Sequence, residues 1–286
     1  MSDYRLLLCT DMDRTVIPNG EQPEHPQARM RFSDFCKQPE VTLAYVTGRH
    51  QALVKQAITD YYLPEPAFAI TDVGSKIYHI VEKQWLELDS WEKHIDNDWN
   101  GNNHQHIQRL LSDVPHLSLQ EPGKQNTHKL SYYLPLQVEP DAVIKQMEKR
   151  LKSEAIAASL IWSIDEQNDI GLLDVLPRNA TKLHAIEFLQ QQLGYHHNEV
   201  IFAGDSGNDL PVLGSSFASV LVANASDELK LAAQQLAHDN GYSDALYIAT
   251  ASGLNMNGNY SAGVLEGVWH FAPDFRDTLQ PANSSS

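Results

Sequence analysis

Two aspartates, Asp11 and Asp13, follow the short apolar run Leu6-Leu-Leu-Cys-Thr10, and Thr15 stands two positions further on. A run of this kind predicts a buried strand of a parallel sheet. Ligands of such sheets bind beyond the carboxyl ends of the strands, where both acids fall. Carboxylates this close repel unless a cation or a shared proton relieves them; taken alone, they are equally consistent with acids that cap a turn. A second cluster, Gly204-Asp-Ser-Gly-Asn-Asp209, follows the apolar run Glu199–Ala203. Its glycines permit a tight turn, with Asp205 and Asp209 four apart around it. A helix cap at Leu210 accounts for one of these acids but not for both together with Asn208. Carboxylates and an amide converging on one point suit a hard, oxygen-seeking cation. Mg2+, which takes one or two carboxylates along with waters and phosphate oxygens, fits best.

Two further positions join these. Val41–Val46 reads as another buried strand, and it exits into Thr47-Gly48-Arg49. Lys182 lies in the first turn of a predicted helix, where a cation opposes the macrodipole at a cost of about 0.3–1 kcal/mol. A charge placed against local preference points to an external partner, although a solvated lysine would also account for it.

The elements that must position these residues alternate strand and helix. Strands are predicted at Leu6–Thr10, Val41–Val46, Ala67–Thr71, Glu199–Ala203 and Ala218–Val222, an edge strand at Tyr247–Thr250, and a hairpin over 76–88. Helices are predicted over 26–37 and Gln51–Tyr61, from Lys182 to a stop at Gly194, over Asp227–Ala233 and over Ser261–Phe271. Between them, one helix is predicted to run on through Leu110 and Leu111. It is followed by strands at His116–Leu119 and Lys129–Leu134, an amphipathic helix over Pro140–Lys152, and strands at Ser159–Ile164 and Gly171–Leu176. This order predicts an antiparallel α+β module inserted into an α/β, doubly wound parallel sheet. The core is expected over residues 1–84 and 168–286 and the insertion over 85–167. The tail from Pro281 to Ser286 is expected to be disordered.

With 286 residues, 42% hydrophobic and 20% charged, the composition is that of an ordinary globular protein. A formal net charge of -16 disfavours nucleic acid, whose phosphates it would repel, but not a small phosphorylated substrate. Cys9 and Cys36 are the only cysteines, and Cys9 falls in a core strand, so a reducing, cytoplasmic setting without disulfides is expected. No stretch approaches a membrane span. His104-Gln-His106, spaced i, i+2, does not face one way on a helix and is a poor metal pair. Trp85, Trp91 and Trp99 are expected in the core or at the module interface rather than stacked on sugar rings.

In their order along the chain, Asp11-Met-Asp13-Arg-Thr15, Thr47, Lys182 and Gly204-Asp205-Ser-Gly-Asn208-Asp209 resemble the four motifs of the haloacid dehalogenase-like phosphohydrolases. The insertion between the second and third motifs resembles the C2 type of cap. Thr47-Gly-Arg49, Lys129-Leu-Ser131, Asp174-Val-Leu-Pro177, Val222-Ala-Asn-Ala-Ser-Asp-Glu228, Tyr247-Ile-Ala-Thr250 and Ala262-Gly-Val-Leu-Glu-Gly267 resemble the sucrose-phosphate phosphatase branch. The likeness covers nearly the whole chain except the tail and much of 85–125. Arg14, at a place that is usually small or neutral, and Leu183, where the branch usually has glycine, depart from the pattern.

The resemblance implies Mg2+-dependent hydrolysis of a sugar phosphate, such as sucrose 6-phosphate or a related glycosyl or disaccharide phosphate, through a phosphoaspartyl intermediate. Asp11 is the implied nucleophile and Asp13 the acid and base. Mg2+ is held by the carboxylates of Asp11 and Asp205 and the backbone carbonyl of Asp13. Thr47 and Lys182 bind the phosphoryl oxygens. Thr15, Gly48, Asn208 and Asp209 flank them, with Asp209 orienting Lys182 or a metal-bound water. Asp13 is expected to be partly protonated, raised by burial and by Asp11 against the opposing effect of Mg2+. Arg49, Lys129 and Asp174 are expected to bind the sugar or its phosphate. A sugar phosphomutase and a catalytically silent sugar-phosphate-binding regulator are the alternatives. The partner is a phosphorylated sugar, and the protein is expected to be a monomer or small homo-oligomer.

Overall fold

Alternating side chains of the first strand divide the core into its two faces. In β1 (Leu6–Thr10), Leu6 and Leu8 join one buried cluster while Leu7 and Cys9 join the other, as the two-residue period of a strand requires. A computed structural model describes residues 4–165, 168–252 and 254–279. After β1 come α1 (Ala28–Cys36), β2 (Val41–Val46), α2 (Gln51–Asp60), β3 (Phe68–Thr71) and the hairpin β4 (Lys76–Val81) and β5 (Gln84–Glu87). The inserted segment carries α3 (Asp89–Asp96), α4 (His104–Leu110), β6 (Ser118–Leu119), β7 (Leu130–Leu134), α5 (Pro140–Ser153), β8 (Ala158–Asp165) and β9 (Ile170–Pro177). The chain then returns through α6 (Lys182–Leu193), β10 (Val200–Gly204), α7 (Leu210–Leu213), β11 (Ala218–Leu221), α8 (Asp227–Asp239), β12 (Leu246–Ile248), α9 (Ser261–Phe271) and α10 (Arg276–Leu279).

The large sheet runs β12-β11-β10-β1-β2-β3-β4-β5, parallel from β12 to β3 and antiparallel in the closing hairpin. Helices α1, α2, α9 and α10 bury their apolar sides on one face, and α3, α6, α7 and α8 on the other. The strand order reverses between β1 and β10, so the exits of these two strands flank a switch point, the crevice where such sheets take ligands. The small sheet, β6-β7-β9-β8, is antiparallel, and α4 and α5 pack on it through Ile107, Val143, Met147 and Leu151.

By sheet membership the chain leaves the core after Glu87 and returns after Pro177, somewhat beyond the expected 84 and 168. Trp91 and Ile95 of α3 belong to the core cluster, so this helix is a joint between the two layers. The single helix predicted up to Leu111 is two helices, because Asn100 and Gly101 take left-handed backbone (φ 52 and 74) and break the run. The strand predicted from His116 shortens to Ser118–Leu119, with His116 itself at φ 69. Helix α8 extends past Ala233 because Ala237 continues the buried stripe of Leu229 and Ala233. Trp91 and Trp99 are fully buried core residues. The predicted tail at Pro281–Ser286 lies outside the described residues. Among those residues, no helix is long and apolar enough to cross a membrane.

Candidate active site

Asp11 is the first residue beyond β1. Its N–H donates to the carbonyl of Ala203 (2.8 Å), which holds it beside the β10 exit, and its Oδ1 accepts the Met12 N–H at 2.8 Å. The carbonyl of Met12 accepts the N–H groups of Val16 and Ile17 (3.0 and 2.8 Å), curling the chain into a tight loop with Arg14 at φ 55. That loop brings the buried Thr15 hydroxyl to Asp205, donating to Oδ1 at 3.2 Å.

At the β10 exit, Gly204 is required by a close approach: a Cβ there would meet Asp209 Oδ2 at 2.5 Å. Asp209 folds back over the turn, and its Oδ2 accepts the Asp205 N–H (3.1 Å), the Ser206 N–H (3.0 Å) and the Ser206 hydroxyl (3.0 Å). Its Oδ1 accepts from Lys182 Nζ at 2.7 Å, and the same ammonium lies 3.2 Å from Asp11 Oδ2. Thr181 caps α6, its hydroxyl accepting the His184 N–H, and so aims the first-turn Lys182 into the crevice. Lys182 is 2% exposed, so the reading as a solvated lysine falls away.

A carboxylate oxygen from each of Asp11, Asp205 and Asp209 lies within 4.8 Å of the others, all three residues being buried. Burial pushes the Asp11 carboxyl up to about 8; Lys182 opposes the shift, and the charges of Asp209 and Asp205 add to it. Burial, then repulsion from Asp209, pushes Asp205 up to about 7 against Arg14, Thr15 and Lys182. Burial alone would lower Lys182, but Asp11 and Asp209 together hold it charged. Three buried carboxylates facing one buried ammonium leave the cluster short of positive charge. Asp209 is filled by protein donors, whereas Asp11 and Asp205 keep lone pairs available, so this donor set fits a hard divalent cation.

The Asp13 side chain is not part of that group. Arg49 donates Nε to Oδ2 (2.7 Å) and Nη2 to Oδ1 (2.6 Å), a bidentate pair, and Asn19 Nδ2 adds 2.7 Å to Oδ1. Burial would raise this carboxyl, but the Arg49 hydrogen bond and charge, Asn19 and Lys182 outweigh it, and the net shift is downward. This corrects the expectation of a partly protonated Asp13, since a guanidinium one helix and one strand further along the chain neutralises the neighbouring charge. Arg49 is accordingly committed to Asp13 rather than directed only at substrate. Buried Thr47 accepts the Arg49 N–H at 3.2 Å, and among the described residues no acceptor takes its own proton. Asn208 Oδ1 lies 2.8 Å from the Ser206 hydroxyl oxygen at the rim.

These residues open on a cavity of about 730 Å³ between the two sheets, lined by Asp11, Asp13, Thr47, Gly48, Arg49, Asp205 and Asn208 from the core and by Lys129 and Asp174 from the cap. Arg14 reaches it with Nε 3.4 Å from Asp205 Oδ2. Leu183 instead packs, half-buried, against the core, so its departure from the family pattern sits outside the cavity wall. Asp72 lines the cavity unanticipated: Asp72-Val-Gly74 reads as a turn, and the available signal was an acid at one more parallel-strand exit. Burial pushes its carboxyl up, with Lys129 opposing. His104 and His106 join no metal-competent group among the described residues.

The sequence profile of the sucrose-6F-phosphate phosphohydrolase family matches residues 4–272. The chain belongs to that family. It is 46% identical over 282 residues to a putative haloacid dehalogenase-like hydrolase of Nitrosococcus oceani, covering 99% of this chain and 76% of that protein. Sucrose-phosphatase 2 of Nicotiana tabacum is 27% identical over 235 residues, 80% of this chain and 52% of that protein, so the chain spans about half the length of that plant relative. The X-ray structure of the sucrose-phosphatase from Synechocystis, in complex with sucrose and phosphate, superposes with a TM-score of 0.72 at 28% identity, covering 94% of this chain and 98% of that one.

Proposed function

We propose that this family member is a Mg2+-dependent phosphatase of a phosphorylated disaccharide or related glycosyl compound, sucrose 6-phosphate being the first to test. The observation that carries the reading is the meeting of four sequence-distant segments at one point. Asp11 Oδ2 lies 3.2 Å from Lys182, and a carboxylate oxygen of Asp11 lies within 4.8 Å of one from Asp205, at the floor of a cavity walled by Thr47 and Asn208.

Asp11 attacks phosphorus, forming a phosphoaspartyl ester as the bond from phosphorus to the sugar oxygen breaks. Lys182 and Thr47 donate to the phosphoryl oxygens while Asn208 flanks them, supplying the charge compensation and positioning that phosphoryl transfer demands. Asp13, which Arg49 holds ionised, takes up a proton as substrate draws that guanidinium away, gives it to the leaving sugar oxygen, then takes one from the water that cleaves the ester and restores Asp11. Arg49 favours the base form of Asp13, the form that second step uses. Thr15 and Asp209 act by position, Thr15 on Asp205 and Asp209 on Lys182. Asp11, Asp205 and the backbone carbonyl of Asp13 would hold Mg2+, which when bound neutralises phosphoryl charge. Lys129 and Asp174 face the sugar from the cap, and Gly48 leaves room beside Thr47 for the phosphate.

A phosphate-release screen across phosphorylated mono- and disaccharides, with Mg2+ or with chelator, tests this. Mg2+-stimulated release that is abolished in Asp11→Asn is expected. Formation of a sugar-phosphate isomer without free phosphate would mark a mutase, and binding without turnover a regulator; either overturns the reading.

A further inference from the structure

At the end of β3, three consecutive residues take left-handed backbone: Asp72 (φ 52), Val73 (φ 63) and Gly74 (φ 109). For a β-branched residue such as Val73 this is a true outlier. Backbone of this kind persists only where the surroundings over-determine it. Here the clamp is visible. Asp72 N–H donates to Arg49 O (3.0 Å) and Val73 N–H to Thr47 O (3.2 Å). A Cβ on Gly74 would lie 2.5 Å from the Thr181 carbonyl carbon, so the turn is pressed against the start of α6. From the α3 side, Trp91 Nε1 donates to Gly74 O at 3.0 Å. The turn therefore touches both the Thr47 loop and the helix that carries Lys182.

The clamp fixes where the Asp72 carboxylate points. Thr71 donates its hydroxyl to Oδ2 (3.0 Å), and Oδ1 faces Lys129 Nζ of the cap at 3.8 Å. On its other side the same ammonium lies 3.7 Å from Asp174 Oδ2, while Oδ1 of that carboxylate accepts from the Ser131 hydroxyl. Asp72 and Lys129 are each 6% exposed. Both separations exceed hydrogen-bond length, and Lys129 Nζ makes no hydrogen bond among the described residues. Its donors face the cavity and are free to bind a ligand there. The ammonium stands between two carboxylates on the wall of the cavity. A hydroxyl placed there donates to a carboxylate and accepts from the ammonium at the same time, and two neighbouring hydroxyls would satisfy both acids.

We propose that Asp72 of the core, with Lys129 and Asp174 of the cap, forms a bridge across the layers that grips adjacent hydroxyls of the leaving group, making Asp72 a specificity residue of the site. The inference rests on the phosphatase reading above and deepens it, because the core as well as the cap reads the polyol. It also couples recognition to cap seating. The Asn126 Nδ2 donor to Ser75 Oγ (3.0 Å) already fastens the cap beside the same turn, and a bound polyol would tie the two layers together one contact further along.

Asp72→Asn tests it. Asparagine tolerates left-handed backbone and preserves shape while losing the charge. Steady-state kinetics on the wild type and the variant would compare sucrose 6-phosphate and glucose 6-phosphate with p-nitrophenyl phosphate, which has no hydroxyl for the bridge. For the sugar phosphate that the wild type prefers, kcat/KM should fall about 10- to 100-fold more than for the aryl phosphate, mostly through KM. Asp72→Ser, shorter but hydroxylated, should show the same bias. Equal losses on both substrate classes, or a loss in kcat alone, would overturn the inference and leave the phosphatase reading standing. No turnover of either class by the wild type would overturn that reading and the inference with it. A melting temperature within a few degrees of wild type separates recognition from misfolding.

Discussion

Replacing Lys182 with methionine removes a fully buried cation while keeping most of its volume. Its ammonium serves Asp209 at 2.7 Å and Asp11 at 3.2 Å, and both acids are also buried. Breaking a buried pair in this way leaves uncompensated charge and costs about 3–5 kcal/mol. The cost must depend on pH. Burial already pushes the Asp11 carboxyl up to about 8 with Lys182 present. Removing the cation raises it further above its unfolded value of 3.8. A carboxyl whose folded pKa is raised contributes stability that is fully present below its unfolded pKa and is lost as pH rises through the folded one. At about pH 5 Asp11 is protonated in both proteins, so the variant loses only the Asp209 pair; at about pH 9 it loses both. Urea unfolding in chelator, followed by circular dichroism, should therefore show a deficit near the full estimate at the high pH and a clearly smaller one at the low pH. The double variant Lys182→Met/Asp209→Asn should recover at least about 1 kcal/mol, because the stranded charge is gone. Turnover of an aryl phosphate should fall about 10²- to 10³-fold in the single variant. A deficit below about 1 kcal/mol at high pH, or one of the same size at both pH values, would refute the account of a charge-starved cluster balanced on one lysine.

Arg14 crowds Asp205 with a guanidinium 3.4 Å away whose side chain is 47% exposed. Arg14→Ala should bind Mg2+ about 3- to 10-fold more tightly in titration calorimetry, because a competing cation is removed from a metal-facing carboxylate; weaker binding would contradict this. In chelator, stability carried by Asp205 and Asp11 is present below their unfolded value of 3.8 and is lost as pH rises through about 7 and about 8. The melting temperature should accordingly decline across that interval. Added Mg2+ should raise it most at the upper end, whereas a flat profile would show that the cluster is already neutralised.

The strand exits are legible in the chain because their signals are local. Leu6–Thr10 and Val200–Gly204 are continuous apolar runs ending in acids, and the run length sets the point at which the chain emerges from the sheet. The first-turn position of Lys182 is equally local, since a cation set against the helix dipole is visible without a partner. Arg49 shows where locality ends. It reads as a residue directed at substrate until the fold sets β2 beside β1 and its guanidinium closes on Asp13, reversing the expected shift of that carboxyl.

The chain by itself determined the acid clusters at the strand exits, the doubly wound core and the inserted antiparallel layer, because hydrophobic period and the residues at strand ends report burial one element at a time. Only the tertiary structure decided the charge balance: which acid is filled, which is held ionised by a distant arginine, and that Asp72 and Lys129 face each other across the two layers at 3.8 Å. Electrostatic energy depends on distance and burial in space, and neither can be read from separation along the sequence.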